Sequence, residues 1–169
     1  MAILPIVRIG DPVLRTPTEI VSEIDDTLQK LIDDMIETMY DAPGVGLAAN
    51  QVGVGRRLMV IDLTVGEKPG NVHVCINPTI VHVEGSQQEA EGCLSVPDFT
   101  EIISRPERVA MRYLDREGRE KEIEGTELMA RAICHECDHL DGRLYIDRLR
   151  GLRKDRLVRR IKRAAREGW

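Results

Sequence analysis

The sequence predicts an α+β fold: a single domain over 1–169, with antiparallel or mixed strands packed around a central helix, one helix before the strands and one at the C-terminal end. Three observations predict it. A chain of 169 residues suits one core, and no repeat, low-complexity tract or long linker divides it. Apolar residues recur at helical spacing near the start, over 126–140 and at the end. Between the first two of these stretches, strand-like runs follow one another without a helix, which argues against alternating βαβ units.

Residues 11–16 read as an extended opening ended by Pro17. From 27 to 40, Leu28, Leu31, Ile32, Met35, Ile36 and Met39 recur every three or four positions, which predicts an amphipathic helix. Thr27 is its expected cap, and it stops before Pro43-Gly44. Strands are expected over 58–63, 72–76, 79–84, 100–104 and 108–114, with Asn77-Pro78 as a break and 115–118 as a turn. A helix over 126–140 is capped by Thr126 and closed by Gly142. The last helix covers 152–167, with Leu157, Val158, Ile161, Ala164 and Ala165 facing inward.

Composition narrows the class. Aromatic residues are 3% of the chain, so stacking on nucleic-acid bases is not its way of working, and no sequence-specific nucleic acid is expected. The first eight residues hold too short an apolar run for a signal peptide, and nothing resembles a transit peptide or a membrane span. The expected setting is the cytoplasm, with Cys75, Cys93, Cys134 and Cys137 as thiols. A net charge of −5 conceals an asymmetry, because residues 148–169 carry +8 and the remainder −13.

Residues 135–139 are His-Glu-Cys-Asp-His, an HExxH pattern. On a helix the two imidazoles share a face one turn apart and can grip one divalent ion, while Glu136 handles protons for a bound water. The pattern also arises by chance in charged helices. At about 100° per residue, Cys134 falls to one side and Cys137 nearly opposite, so the pair suits packing onto a sheet better than a zinc knuckle. Asp138 lies near the histidine face, as an acceptor for an imidazole N–H or as a solvated charge.

A catalytic metal needs a third protein ligand. The HExxHxxGxxH form would place a histidine where Tyr145 stands, and the form with a glutamate about twenty residues on meets Arg159. The ligand must come from elsewhere, and Cys93, in Glu91-Gly92-Cys93-Leu94-Ser95, is the best candidate. From spacing alone, packing is the commoner role for a lone cysteine in such a turn. Residues 44–51 imitate a dinucleotide fingerprint but follow a helix instead of a strand. Their small residues suit a backbone lying against a neighbouring element or an extended substrate, with the Gln51 amide at the end.

Taken in order, residues 44–51, 91–95 and 135–142 resemble the three signature motifs of the peptide deformylases. The likeness extends over nearly the whole chain, through residues 4–7 and 11–15, Arg105-Pro106 and residues 141–145. It implies a metal-dependent hydrolase that removes the formyl group from the N-terminal formyl-methionine of new polypeptides and releases formate. Cys93, His135 and His139 would hold one divalent ion and a water. Ferrous iron is the expected ion, with zinc, nickel or cobalt as substitutes. Glu136 would act as base and then acid. Gln51 and the Leu94 N–H would hold the oxyanion. Val45 and Gly46 would pair with the peptide, and Val45, Glu91, Leu94 and Arg131 would line the methionine pocket.

Some positions depart from the commonest family pattern: Cys134 and Cys137 beside the HExxH residues, Arg131 where an aliphatic residue is found in some members, and Asp98 after Pro97. None removes an expected ligand or base. The basic tail over 148–169 reads either as a solvated face or as a ribosome contact, since +8 suits rRNA. A relative acting on another amide, a general metallopeptidase and a non-catalytic metal-binding module are the competing readings. Glu136 argues against the last, because a structural site has no need of it.

Overall fold

The computed structural model describes residues 2–168. Met1 and Trp169, the ends of the expected domain and of the basic tail, lie outside the described residues. The expected N-terminal helix is α1, Asp26–Asp41. Its cap is Asp25, two residues upstream of the predicted Thr27: the Asp25 carboxylate accepts the Leu28 N–H at 2.9 Å. A charged acceptor is favoured at the positive end of the helix, and Thr27 becomes part of the first turn. The opening residues are not extended as predicted. Pro12–Arg15 is a 3₁₀ turn with Pro12 first and Asp11 accepting the Val13 N–H, the position where proline's fixed φ costs nothing.

Among the described residues seven strands follow: β1 (Gly46–Ala48), β2 (Leu58–Ile61), β3 (His73–Glu84), β4 (Gln87–Cys93), β5 (Val96–Arg105), β6 (Arg108–Leu114) and β7 (Glu120–Thr126). Five form an antiparallel sheet in the order β1-β2-β3-β6-β7, and β4 pairs with β5 as a separate antiparallel hairpin. Side chains alternate between faces along a strand. Leu58 and Val60 of β2 pack with Leu28, Ile32, Met35 and Met39 of α1. Met59 and Ile61, one residue out of phase, pack with α2 (Glu127–Leu140) on the other face. The unbroken apolar run of β2 therefore reflects burial on both sides. Each such aliphatic side chain contributes about 1.5–3 kcal/mol relative to exposure.

Residues 72–76 and 79–84 are one strand, not two. Asn77, at φ +53°, makes a bulge instead of a break. Its side-chain amide exchanges two hydrogen bonds with the Val21 backbone, and the Arg57 guanidinium donates to the Pro78 carbonyl. Three strands had no sequence signal. β1 is short and rich in small residues, and β4 and β7 are polar, so cross-strand pairing holds them where propensity does not.

The chain enters α2 directly from β7, with Glu127 at φ +52°. Thr126 occupies the cap position, but its hydroxyl makes no capping bond. Gly142 closes the helix as expected, at φ +78°, with its N–H on the His139 carbonyl. A Cβ there would lie 2.7 Å from the Arg15 carbonyl oxygen, so the site demands glycine twice over. Another 3₁₀ turn, Tyr145–Arg148, leads into α3, Gly151–Arg166. Of the predicted inner face of α3, Leu157 and Ile161 are buried and Val158 and Ala164 half-buried, while Ala165 is exposed. One apolar contact stripe under the β4–β5 hairpin is all the helix needs. Among the described residues no helix is long and apolar enough to cross a membrane.

Candidate metal centre

The HExxH residues lie on α2, which packs against the five-stranded sheet, and Cys93 ends β4 at the bulge where the hairpin turns. The fold brings them together. Cys93 Sγ lies 3.3 Å from His139 Nε2, and the Nε2 atoms of His139 and His135 are 3.2 Å apart. All three donor atoms fall within 4.8 Å of one another. Metal–nitrogen bonds of about 2.0–2.1 Å and a metal–sulfur bond of about 2.3 Å, set at tetrahedral angles, separate donors by roughly 3.3–3.6 Å. The group therefore fits a divalent ion with one position left for water or substrate.

The ring environments agree with that chemistry. His135 Nδ1 meets Glu91 Oε1 at 2.9 Å, so its N–H donates to the carboxylate and Nε2 keeps its lone pair for a metal. Burial pulls His135 toward the neutral form, but the Cys93 sulfur and Glu91 outweigh it and hold its pKa well above the ordinary value. Burial and the neighbouring His135 push His139 well below its ordinary value, so it stays neutral. A bound cation would take the place of the His135 proton, and metal affinity falls as the medium is acidified.

Glu136 projects to the side, as the helix geometry predicts, and is 4% exposed. Its Oε1 is 3.9 Å from His135 Nε2, and Oε2 has no hydrogen-bond partner among the described residues. Burial raises its pKa to about 7, against the lowering effect of His135. A carboxyl titrating near neutrality suits proton transfer in both directions. Gly46 closes over it: a Cβ at Gly46 would lie 3.0 Å from Glu136 Cγ and 3.1 Å from its carboxyl carbon and Oε1. Only a bare backbone can approach the carboxylate this closely.

A cleft of about 920 Å³ opens over these atoms. Val45, Gly46, Gln51, Glu91, Cys93, Leu94, Arg131, His135 and Glu136 all border it, whereas His139 lies behind its wall, 1% exposed. Gln51 is buried and fixed in orientation. Its Oε1 accepts the Ala48 N–H at 3.0 Å, which turns Nε2 toward Ser95 Oγ at 3.2 Å and Cys93 Sγ at 3.7 Å. Arg131 bends to Gln87 Oε1 at 2.7 Å. The Glu91 carboxylate faces His135 and Arg105, so it supports the ring instead of presenting a charge to the cleft.

Asp138 is neither a partner of an imidazole nor a solvated charge. It is 6% exposed and accepts from Arg105 and Arg148. Arg105 had no role in the sequence reading beyond its Arg-Pro segment, yet it is 3% exposed and binds Glu91 through two N–H groups at 2.8 and 2.9 Å. A strand-end arginine before proline resembles any surface cation in a sequence, so no pattern could have exposed it. Burial raises the Glu91 pKa, but Arg105 and His135 outweigh it and hold the group at about 2. Cys134 and Cys137 stay outside the donor group, in the core against the sheet, with Cys137 Sγ 3.9 Å from Met111 Sδ.

An α+β fold with a sulfur-and-two-imidazole cluster and a buried glutamate beside it over a cleft defines a metal-dependent hydrolase. The comparisons with known proteins make that class particular. The polypeptide deformylase family model matches residues 3–155. Peptide deformylase from Acidobacterium capsulatum is 49% identical over 168 residues, covering 99% of both chains. The one from Thermodesulfovibrio yellowstonii is 51% identical over 162 residues, covering 96% of this chain and 98% of the relative. Among solved structures, peptide deformylase from Legionella pneumophila superposes with a TM-score of 0.91 at 42% identity, over 99% of this chain and 98% of that one. The Synechococcus elongatus enzyme, in complex with actinonin, gives 0.86 at 43% identity, over 89% and 83%. The chain belongs to the polypeptide deformylase family. It is a metal-dependent hydrolase acting on N-terminal formyl-methionine.

Proposed function

We propose that Cys93, His135 and His139 hold the divalent ion of this deformylase and that Glu136 carries its protons. The observation that supports this most is the meeting of three donor atoms within 4.8 Å beside a buried carboxyl oxygen that has no hydrogen-bond partner among the described residues. When bound, the ion supplies a Lewis acid that brings hydroxide within reach of neutral pH and polarises the formyl oxygen. Glu136 accepts a proton from the attacking water and later returns it to the departing amine, so the breaking C–N bond leaves a neutral N-terminus and formic acid, which ionises to formate. Gln51 Nε2 and the Leu94 N–H donate to the oxygen that gains charge. β1 is the end strand of its sheet, and Val45 and Gly46 offer the extended peptide a backbone to pair with. Leu94, Arg131 and the Glu91 strand border the methionine side chain. The close approach of Gly46 to Glu136 favours a formyl carbon, which bears only hydrogen, over an internal peptide carbonyl.

Formate release from formyl-Met-Ala-Ser tests the reading, with acetyl-Met-Ala-Ser as control. Release from the formyl peptide alone, lost with a chelator and restored by divalent metal, is expected. Cleavage of the acetyl peptide at an equal rate would overturn the substrate assignment.

One thiolate and two imidazoles suit iron or zinc, and ferrous iron is the proposed native ion, with zinc, nickel or cobalt as replacements. Residues 1–169 are proposed to act as one catalytic domain in the cytoplasm, where the four free thiols stay reduced. The exposed basic face of α3 supports a ribosome contact for the +8 tail. Co-sedimentation with ribosomes at low salt, weakened at high salt, is the expected result, and equal binding by a tail truncation would end the idea.

A further inference from the structure

We propose that Arg148 is a positioning residue for the metal site: through Asp138, Arg105 and Glu91 it holds the His135 imidazole in the orientation that retains the ion. The proposal rests on the reading of Cys93, His135 and His139 as ligands. Arg148 donates to Asp138 through Nη2 at 2.5 Å and Nε at 3.1 Å. Asp138 Oδ2, the oxygen that accepts the Arg148 Nε–H, also accepts from Arg105 Nη1 at 2.7 Å. Arg105 in turn clamps Glu91, whose Oε1 meets His135 Nδ1 at 2.9 Å. Five side chains thus form a continuous hydrogen-bonded path from a half-exposed arginine to a ligand ring.

Charge gives that path its consequence. Two guanidinium groups face two buried carboxylates, so the network is neutral. Removing Arg148 leaves one buried negative charge uncompensated, a costly state in a low-dielectric interior. Arg105 is then drawn toward Asp138, and its clamp on Glu91 loosens. A carboxylate partner fixes both the tautomer and the tilt of a metal-bound imidazole, so the loosening reaches His135 Nε2.

The same turn reaches His135 by a second route. Tyr145, three residues before Arg148, is 1% exposed and lies nearly parallel to the His135 ring, with centroids 6.2 Å apart and planes 20° apart. Its hydroxyl donates to the Phe99 carbonyl, while Asp147 accepts from Leu144 N–H and Arg15. The turn is therefore pinned on three sides, and Arg148 extends from a fixed base. The segment leading into α3 is part of the support of the metal site, although none of its residues is a proposed ligand.

The test uses full-length protein loaded with cobalt, whose visible spectrum reports ligand geometry, and follows release to a chelator. Arg148→Met is expected to release cobalt about tenfold faster than wild type, in the range seen when a ligand's supporting partner is lost, and to shift the visible band. Arg148→Met with Asp138→Asn removes both members of the outer pair and restores neutrality, so its release should return to within about threefold of wild type. A merely structural arginine would lower the melting temperature and leave release rate and spectrum unchanged, which overturns the proposal. So does a double variant that releases cobalt as fast as the single one. If Arg148→Met does not fold, Arg148→Gln, which keeps a donor but no charge, is read in the same way. Wild-type protein that takes up no cobalt would overturn the ligand reading itself, a failure distinct from the other two.

Discussion

Glu136→Gln is expected to lower kcat for formate release by about 10²–10⁴-fold while the metal content stays at the wild-type level. The amide keeps the size and burial of the carboxyl, so packing against Gly46 is preserved. What it loses is the ability to accept a proton. Burial has set the carboxyl near 7, so at neutral pH it can take a proton from water and give one to an amine with little penalty either way. A glutamine can do neither. Determining kcat and metal content on the same samples separates this loss from a loss of the ion. A variant that keeps full activity would remove Glu136 from the mechanism.

Cys93→Ala is expected to abolish activity by a different route, through loss of the ion. The sulfur is one of three donors, and the two imidazoles that remain offer only a two-point grip. The fall in metal affinity should exceed the roughly 10–100-fold that loss of a supporting partner costs. Cys134→Ala is the matched control, since that thiol lies in the core and outside the donor group. It should retain metal and formate release while losing some stability. Equal metal content in Cys93→Ala and wild type, measured after dialysis against a chelator, would contradict the assignment.

The parts of this molecule that were legible in the sequence are those with a period or a fixed spacing. The threes and fours of Leu28, Ile32, Met35 and Met39 gave α1, and the four-residue step from His135 to His139 gave the paired imidazoles. Cys93 was reached by exclusion of the downstream ligands and by family resemblance, and the structure places its sulfur 3.3 Å from His139 Nε2. Strands β4 and β7 were illegible because glutamine, glutamate and lysine have no strand preference of their own. Their pairing partners decide their state. Asp138 illustrates the same limit for polar groups. Its helical face was predictable, but its two arginine partners come from positions 33 residues before it and 10 after, and only the folded chain brings them together. Glu91 was expected at the pocket, and the structure turns its carboxylate to His135 and Arg105.

The claim on which the rest depends is that one sulfur and two imidazole nitrogens share a single ion. X-ray absorption at the zinc edge of the zinc-loaded protein measures this directly. The expected result is one sulfur at about 2.3 Å and two imidazole nitrogens at about 2.0–2.1 Å, with one further light atom. A wild-type spectrum with no sulfur, or with the two or more sulfurs that ligation by Cys134 and Cys137 would give, would contradict it.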